Sequence, residues 1–265
     1  MQQKGSQSED ERFVLGAIIS DYDGTLAPHD VRREDSAISS EMEVQLQALA
    51  KEIPFAIVTS KDFSFIYPRA RFASAWACVS GLEIISPDGR SFREEQIQEL
   101  DGMAQYVREI VHASCTIEPK RSSKGHLLGL SVDWRYGEKP SPQSIKSLSD
   151  ESSKRGYYFN YEESNPFFDI YGAPPNKGRA LLRLKRLLNI RGPVMYIGDS
   201  TTDNEAFLVA DVPVCVLHGQ LVEHLGCKFA VRYDELTQFL HALRDRNLVF
   251  TPRGMPGLTE RCDSC

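Results

Sequence analysis

Asp21-Tyr22-Asp23-Gly24-Thr25 sets two carboxylates two residues apart, directly after the apolar run 13–20. Like charges held that close raise one another's pKa. A divalent cation relieves the repulsion. Gly24 permits a tight turn that aims backbone N–H groups inward. A second acidic string, Gly198-Asp199-Ser200-Thr201-Thr202-Asp203, again follows an apolar run, 193–197. Asp199 falls at the strand end. Asp203 falls where the next helix starts, either as a plain N-cap or as an acid favoured by the helix dipole. With Asp21 these make an oxygen-rich set suited to Mg²⁺. Asn176-Lys177-Gly178 heads a basic helix over 178–189. Lys177 is there either a solvated surface lysine or an anion holder at a helix N-terminus. Thr59-Ser60 ends the run 54–59, where a hydroxyl donates to a phosphate oxygen or caps the segment from Asp62 onward.

These residues need strands to carry them. Runs 13–20, 54–59, 76–79, 193–197 and 212–217 are continuous and apolar, the pattern of strands buried on both faces. Helical spacing separates them at 39–51 and 204–210. Strand, helix, strand in repetition predicts a parallel sheet with helices on both faces. Ligands of such sheets bind beyond the carboxyl ends of the strands. The middle of the chain differs. Helical spacing over 94–113 and 142–155 alternates with strand pairs at 115–120 and 126–135, then 157–161 and 167–171. The fold class is therefore α/β: a Rossmann-like parallel-sheet core over 12–89 and 173–250, with an inserted α+β cap domain over 90–172. The cap is expected to hold an antiparallel sheet and two helices. Ser86-Pro87-Asp88-Gly89 and Gly172-Ala173-Pro174-Pro175 read as its hinges, and 1–11 and 251–265 as flexible tails.

The 265 residues are 41% hydrophobic and 26% charged, a globular composition. Lys and Arg number 31 against 37 acids, a net charge of −6. That makes a poor nucleic-acid binder, while leaving room for a local basic pocket around one phosphate ester. The first dozen residues lack a signal peptide's apolar run, and no apolar run approaches the ~20 residues of a membrane span. Cys78, Cys115, Cys215 and Cys227 lie in apolar segments and read as reduced core thiols of a cytoplasmic protein. Cys262 and Cys265 supply two of a structural zinc's four ligands, or belong to a loose tail.

The strings DYDGTLAP, AIVTSKD, NKGRAL and YIGDSTTDNEAF, in this order, resemble the haloacid dehalogenase superfamily of phosphatases from about residue 18 to 243. FAVRYDELTQFLHAL is similar to that superfamily's last strand and helix. A cap between the second and third strings resembles the subgroup with a large α/β cap, most like trehalose-6-phosphate phosphatases and related sugar phosphatases. The resemblance implies Mg²⁺-dependent hydrolysis of a small-molecule sugar phosphate. Asp21 would attack phosphorus and form an aspartyl-phosphate. Asp23 would protonate the leaving oxygen and then activate water. Thr59 and Lys177 would hold phosphoryl oxygens, with Gly24 and Ser60 completing the cradle. Asp21, the backbone carbonyl of Asp23, and Asp199 would bind the metal, with Asp203 as a further acidic ligand or orienter. On the cap, Glu118, Lys120, Lys124 and Arg135 would meet the sugar, and Asp169 would face the site.

The chain departs from the family pattern at Ser60-Lys61, where Gly-Arg is usual, and at Asn204, where Glu is usual. The cap stretch corresponding to the family's Glu-x-Lys is Glu118-Pro119-Lys120, followed by a longer loop with Lys124, and Asp133-Trp134-Arg135 stands in place of a His-Tyr-Arg-like strand end. Alternatives are a phosphosugar mutase of the phosphomannomutase kind, and phosphatases of mannosyl- or glucosyl-3-phosphoglycerate or of sucrose phosphate. A non-catalytic sugar-phosphate sensor is disfavoured by the presence of Asp21, Asp23, Lys177, Asp199 and Asp203.

Overall fold

A computed structural model describes residues 11–28, 31–100, 102–219 and 224–261. In chain order the first elements are β1 (Phe13–Val14), β2 (Ala17–Ser20), α1 (Ser40–Glu52), β3 (Phe55–Val58), α2 (Phe63–Ile66), β4 (Ala75–Cys78), β5 (Glu83–Ile85) and β6 (Ser91–Arg93). Next come α3 (Met103–Ile110), β7 (Thr116–Arg121), β8 (Leu127–Asp133), α4 (Pro142–Lys154), β9 (Tyr158–Tyr161) and β10 (Phe167–Tyr171). Last are α5 (Lys177–Leu187), β11 (Val194–Gly198), α6 (Asn204–Phe207), β12 (Val212–Leu217), β13 (Phe229–Arg232), α7 (Leu236–Asp245), β14 (Val249–Phe250) and β15 (Leu258–Glu260). No helix among the described residues is long and apolar enough to cross a membrane.

The chain divides into two compact units. The first comprises Met1–Val58, Phe72–Ala75 and Lys177–Cys265. Its sheet runs in the order β15-β13-β12-β11-β2-β3. Every neighbouring pair in it is parallel except β13 with β15. The strands β2, β3 and β11 are buried along their whole length, as their unbroken apolar sequences require. Helix α1 packs against α7, and α5 against α6. Ser39 starts α1 by accepting the N–H of Met42, and the helix buries Met42, Leu46 and Leu49 along one stripe.

The second unit comprises Thr59–Arg71 and Trp76–Asn176. It holds the antiparallel sheet β7-β8-β10-β9. One face of that sheet presents Ile117, Leu130, Val132, Phe168 and Ile170, which join Met103, Val107 and Leu148 of α3 and α4 in one core. The opposite face carries Glu118, Lys120, Ser131 and Asp169, because side chains alternate along a strand. The unit so grouped takes in 59–71 and 76–89 as well as the expected cap of 90–172. β5 pairs with both β4 and β6, Glu94 N–H donates to Leu82 C=O, and Glu83 accepts the N–H and hydroxyl of Ser123. Ser86-Pro87-Asp88-Gly89 turns the β5–β6 hairpin, with Gly89 N–H donating to Ser86 C=O.

Other differences from expectation have local causes. The run 13–20 is two strands, since β1 pairs antiparallel with β14 while β2 enters the parallel sheet. The break falls at Gly16, whose N–H donates to Pro193 C=O at 2.7 Å. A Cβ there would stand 2.3 Å from the Arg191 carbonyl oxygen. The helix expected over 94–113 is confined to α3, because Gly102 before it takes φ +73° and Gln98 N–H donates to Gly172 C=O. The tail expected from 251 contains β15, hydrogen-bonded to β13. Residues 1–10 and the pair Cys262 and Cys265 lie outside the described residues. Gly16→Ala should lower unfolding stability by about 1–3 kcal/mol through overpacking, read from urea denaturation. A variant as stable as the parent would contradict the close approach at this break.

Candidate active site

In the first unit β2 and β11 are parallel neighbours, with Ser20 opposite Ile197. Asp21 and Asp199 therefore leave the sheet side by side at its carboxyl edge. Asp21 N–H donates to Ile197 C=O at 2.8 Å, which ties the first acid to the neighbouring strand. Lys177, the first residue of α5, donates from Nζ to Asp21 Oδ2 at 2.7 Å and to Asp203 Oδ1 at 2.8 Å. Asp21, Lys177 and Asp203 are all buried. Asp203 Oδ1 also accepts the Tyr196 hydroxyl at 2.6 Å. Its Oδ2 accepts the N–H groups of Asp199 and Ser200, each at 3.1 Å. Both oxygens of Asp203 are thus engaged by the chain itself. Asp21 Oδ1 accepts Tyr22 N–H at 2.7 Å, and Asp199 Oδ1 accepts the Thr25 hydroxyl at 3.2 Å.

Two glycines let these acids converge. Gly24 has φ +73°, and a Cβ on it would stand 2.1 Å from Asp199 Oδ2. A Cβ on Gly198 would stand 2.5 Å from Asp203 Cγ. Half-buried Asp23 accepts the Ser36 hydroxyl on Oδ1 at 2.7 Å. His218, just past β12, donates from Nε2–H to Gly24 C=O and stacks on Tyr233. Thr25, Ser36, Tyr196 and His218 escape sequence reasoning. The one available signal is a polar tip inside an apolar strand, at Tyr196.

The charges do not balance. One ammonium faces three carboxylates that can each bring an oxygen within 4.8 Å of the others. Burial pushes Asp21 up to about 7, with Lys177 opposing and Asp203 adding to the rise. Burial, then the charges of Asp203 and Asp21, hold Asp199 well above the usual carboxylate range. Burial pulls Lys177 down, but the charges of Asp203 and Asp21 outweigh it and keep the ammonium charged. The shifts of Asp21 and Asp199 both express too little positive charge for three acids, a lack that a hard divalent cation with oxygen ligands fits.

Thr59, Ser60 and the cap residues belong to the second unit. Thr59 is buried, and its Oγ1 accepts Lys61 N–H at 3.2 Å. Lys61 pairs with Glu118 at 3.5 Å. Buried Lys120 donates to Asp169 Oδ1 at 2.7 Å and to the Tyr171 hydroxyl at 3.4 Å, and Ser131 donates to the same Asp169 oxygen at 2.7 Å. Lys124 is exposed at the β7–β8 turn, where Arg121 and His126 line the same open cavity of about 410 Å³. Arg135 does not join Lys120 and Asp169. It lies past the end of β8, six residues beyond Gly129 opposite Lys120, and pairs with Asp133 at 3.7 Å.

Similar proteins point the same way. Among solved structures, a trehalose-6-phosphate phosphatase related protein superposes with a TM-score of 0.65 at 20% identity, covering 88% of this chain and 98% of its own. A haloacid dehalogenase-like hydrolase from Bacteroides thetaiotaomicron does so with a TM-score of 0.65 at 15% identity, covering 86% and 98%. The chain has the haloacid dehalogenase-like fold. No family model matches it. Among curated relatives, an uncharacterized glycosyl hydrolase of Mycobacterium tuberculosis is 24% identical over 220 residues, which are 76% of this chain and 16% of that protein. The chain thus spans a small part of the length of the first relatives it matches. A phosphoglycolate phosphatase of Saccharolobus solfataricus is 27% identical, covering 75% of this chain and 78% of its own. A probable trehalose-phosphate phosphatase of Arabidopsis thaliana is 25% identical, covering 72% and 56%.

A raised carboxylate pKa has a consequence for stability. Unfolded Asp21 releases its proton near 3.8, whereas folded, metal-free Asp21 keeps it to about 7. Between those values the folded state binds the extra proton, so stability falls as pH rises through the window. The stability of the parent relative to Asp21→Asn should decline from about pH 4 to pH 7 in thermal melts with chelator present. A pH-independent difference would contradict the buried, proton-holding Asp21.

Proposed function

We propose that this chain is a Mg²⁺-dependent phosphatase acting on a sugar phosphate, of the trehalose-6-phosphate phosphatase kind. The observation that carries the proposal is the Asp21 carboxylate at the end of β2, backed by the Lys177 ammonium and set beside Asp199. Asp21 attacks phosphorus and the bond to the sugar oxygen breaks. Asp23, oriented by Ser36, gives its proton to that oxygen, and in the second step takes one from the water that hydrolyses the aspartyl-phosphate. Lys177 holds charge on a phosphoryl oxygen, and the hydroxyls of Thr59 and Ser60 and the Gly24 turn are assigned to the other oxygens. Asp21, Asp199 and the Asp23 carbonyl would hold Mg²⁺, which would supply positive charge to offset the repulsion between carboxylate and phosphate dianion. Asp203 works as a positioning residue, since its oxygens are taken by Lys177, Tyr196 and two backbone N–H groups.

The polar face of the second unit's sheet is assigned to the sugar. Glu118, Lys120 and Asp169 are the contacts offered there, with Lys124 at the neighbouring turn; Arg135 is set aside because it lies past the end of β8 and pairs with Asp133. Phosphoglycolate is the second reading, favoured by the 27% identity to a phosphatase of that name. Phosphate release from a panel of disaccharide phosphates, monosaccharide phosphates and phosphoglycolate separates the two.

Asp21→Asn should cut phosphate release by at least about a thousandfold while leaving the fold intact. Full activity in that variant would remove the nucleophile from the account. Asp23→Ala should slow turnover of a sugar phosphate by about 10²–10⁴-fold. Phosphoenzyme formation from an activated aryl phosphate should suffer less, because its leaving group needs no proton. Equal slowing for both substrates would reject Asp23 as the acid.

A further inference from the structure

Cys215 on β12 and Cys227 just ahead of β13 are free thiols, both buried, and phosphate chemistry has no use for them. Arg261, the residue after β15, reaches both. Its Nη1 lies 3.7 Å from Cys215 Sγ and 3.6 Å from Cys227 Sγ. Its own N–H donates to Lys228 C=O at 2.9 Å, which anchors the arginine beside Cys227. One guanidinium nitrogen within reach of both sulfurs sets the two thiols beside each other. The neighbouring thiol and then burial raise Cys215, while Cys215 and the guanidinium hold Cys227 below the usual thiol range. A cation between two sulfurs favours a thiolate and opposes a metal ion at the same place. Cys227 keeps 5% of its surface exposed and Cys215 none, so Cys227 is the sulfur that a small oxidant meets first.

We propose that Cys215 and Cys227 form a peroxide-sensitive dithiol, with Arg261 as the group that keeps Cys227 reactive. The co-reactant is a hydroperoxide. The Cys227 thiolate attacks the peroxide, the O–O bond breaks, and Cys227 becomes a sulfenic acid while the leaving alkoxide takes a proton. Cys215 then attacks the Cys227 sulfur, an S–S bond forms, and the sulfenic oxygen leaves as water with the Cys215 proton. Two thiols are oxidised by two electrons to one disulfide, and the hydroperoxide is reduced to one alcohol and one water. The site stands apart from the phosphatase reading and does not depend on it.

The test uses the full chain treated with hydrogen peroxide, blocked with N-ethylmaleimide and digested without reduction by trypsin and an endoproteinase that cuts after glutamate. Cleavage after Glu223 puts Cys215 and Cys227 on separate peptides, so their disulfide appears as a cross-linked pair. The expected result is that pair in the parent. In Cys215→Ser it is replaced by a dimedone adduct on Cys227, and in Arg261→Met it forms about tenfold more slowly as the thiolate fraction drops. Recovery of both cysteines as maleimide adducts after peroxide would overturn the proposal. So would a cross-link from either one to Cys78, Cys115, Cys262 or Cys265. The parent's own cross-link decides the matter even if a variant fails to fold.

Discussion

Among the described residues Lys177 is the ammonium that pairs with two buried carboxylates, Asp21 and Asp203, with half-buried Asp199 beside them, and the architecture of the first unit is arranged around that imbalance. Asp21 and Asp199 stand together because β2 and β11 are parallel neighbours whose carboxyl ends coincide. Asp203 reaches the same point because the turn after β11 folds back over Gly198. An isolated cluster of this kind is unfavourable to bury. The chain accepts it by surrounding Asp203 with five donors and leaving Asp21 and Asp199 less fully satisfied. Perturbed acids gathered at a strand edge mark a place built for chemistry rather than for stability.

The second unit solves a related problem differently. Its sheet has an apolar face closed by α3 and α4 and a polar face whose charges are already matched. Lys120 and Asp169 neutralise each other within a set that includes Ser131 and Tyr171. Removing one partner of such a buried pair costs about 3–5 kcal/mol, since the other is left uncompensated. Lys61 stands where arginine is usual, and it takes Glu118 of β7 as its partner.

Much of this was legible before any coordinates. A continuous apolar run followed by Asp places a carboxylate at a strand end, and the parallel order then brings Asp21 and Asp199 together. What stayed hidden was set by contacts distant in sequence. Nothing in Phe13 to Ser20 announces that Gly16 must make room for the backbone at Arg191. The helical spacing of Ile97 and Leu100 is real, yet the backbone there is claimed by Gly172 and Leu127 instead of by its own turn. The cap residues were the least legible group, because their spacing alone does not say which end of a strand they occupy. Arg135 and Lys120 face different neighbourhoods for that reason.

The short strand β15 has a practical meaning for anyone shortening this chain. It covers Phe229, Ala230 and Val231 of β13, an apolar stretch whose outer backbone groups would otherwise be bare. A product trimmed after Phe250 keeps every residue assigned to catalysis. It would also present an open sheet margin to its own copies, the usual invitation to strand-by-strand association and precipitation.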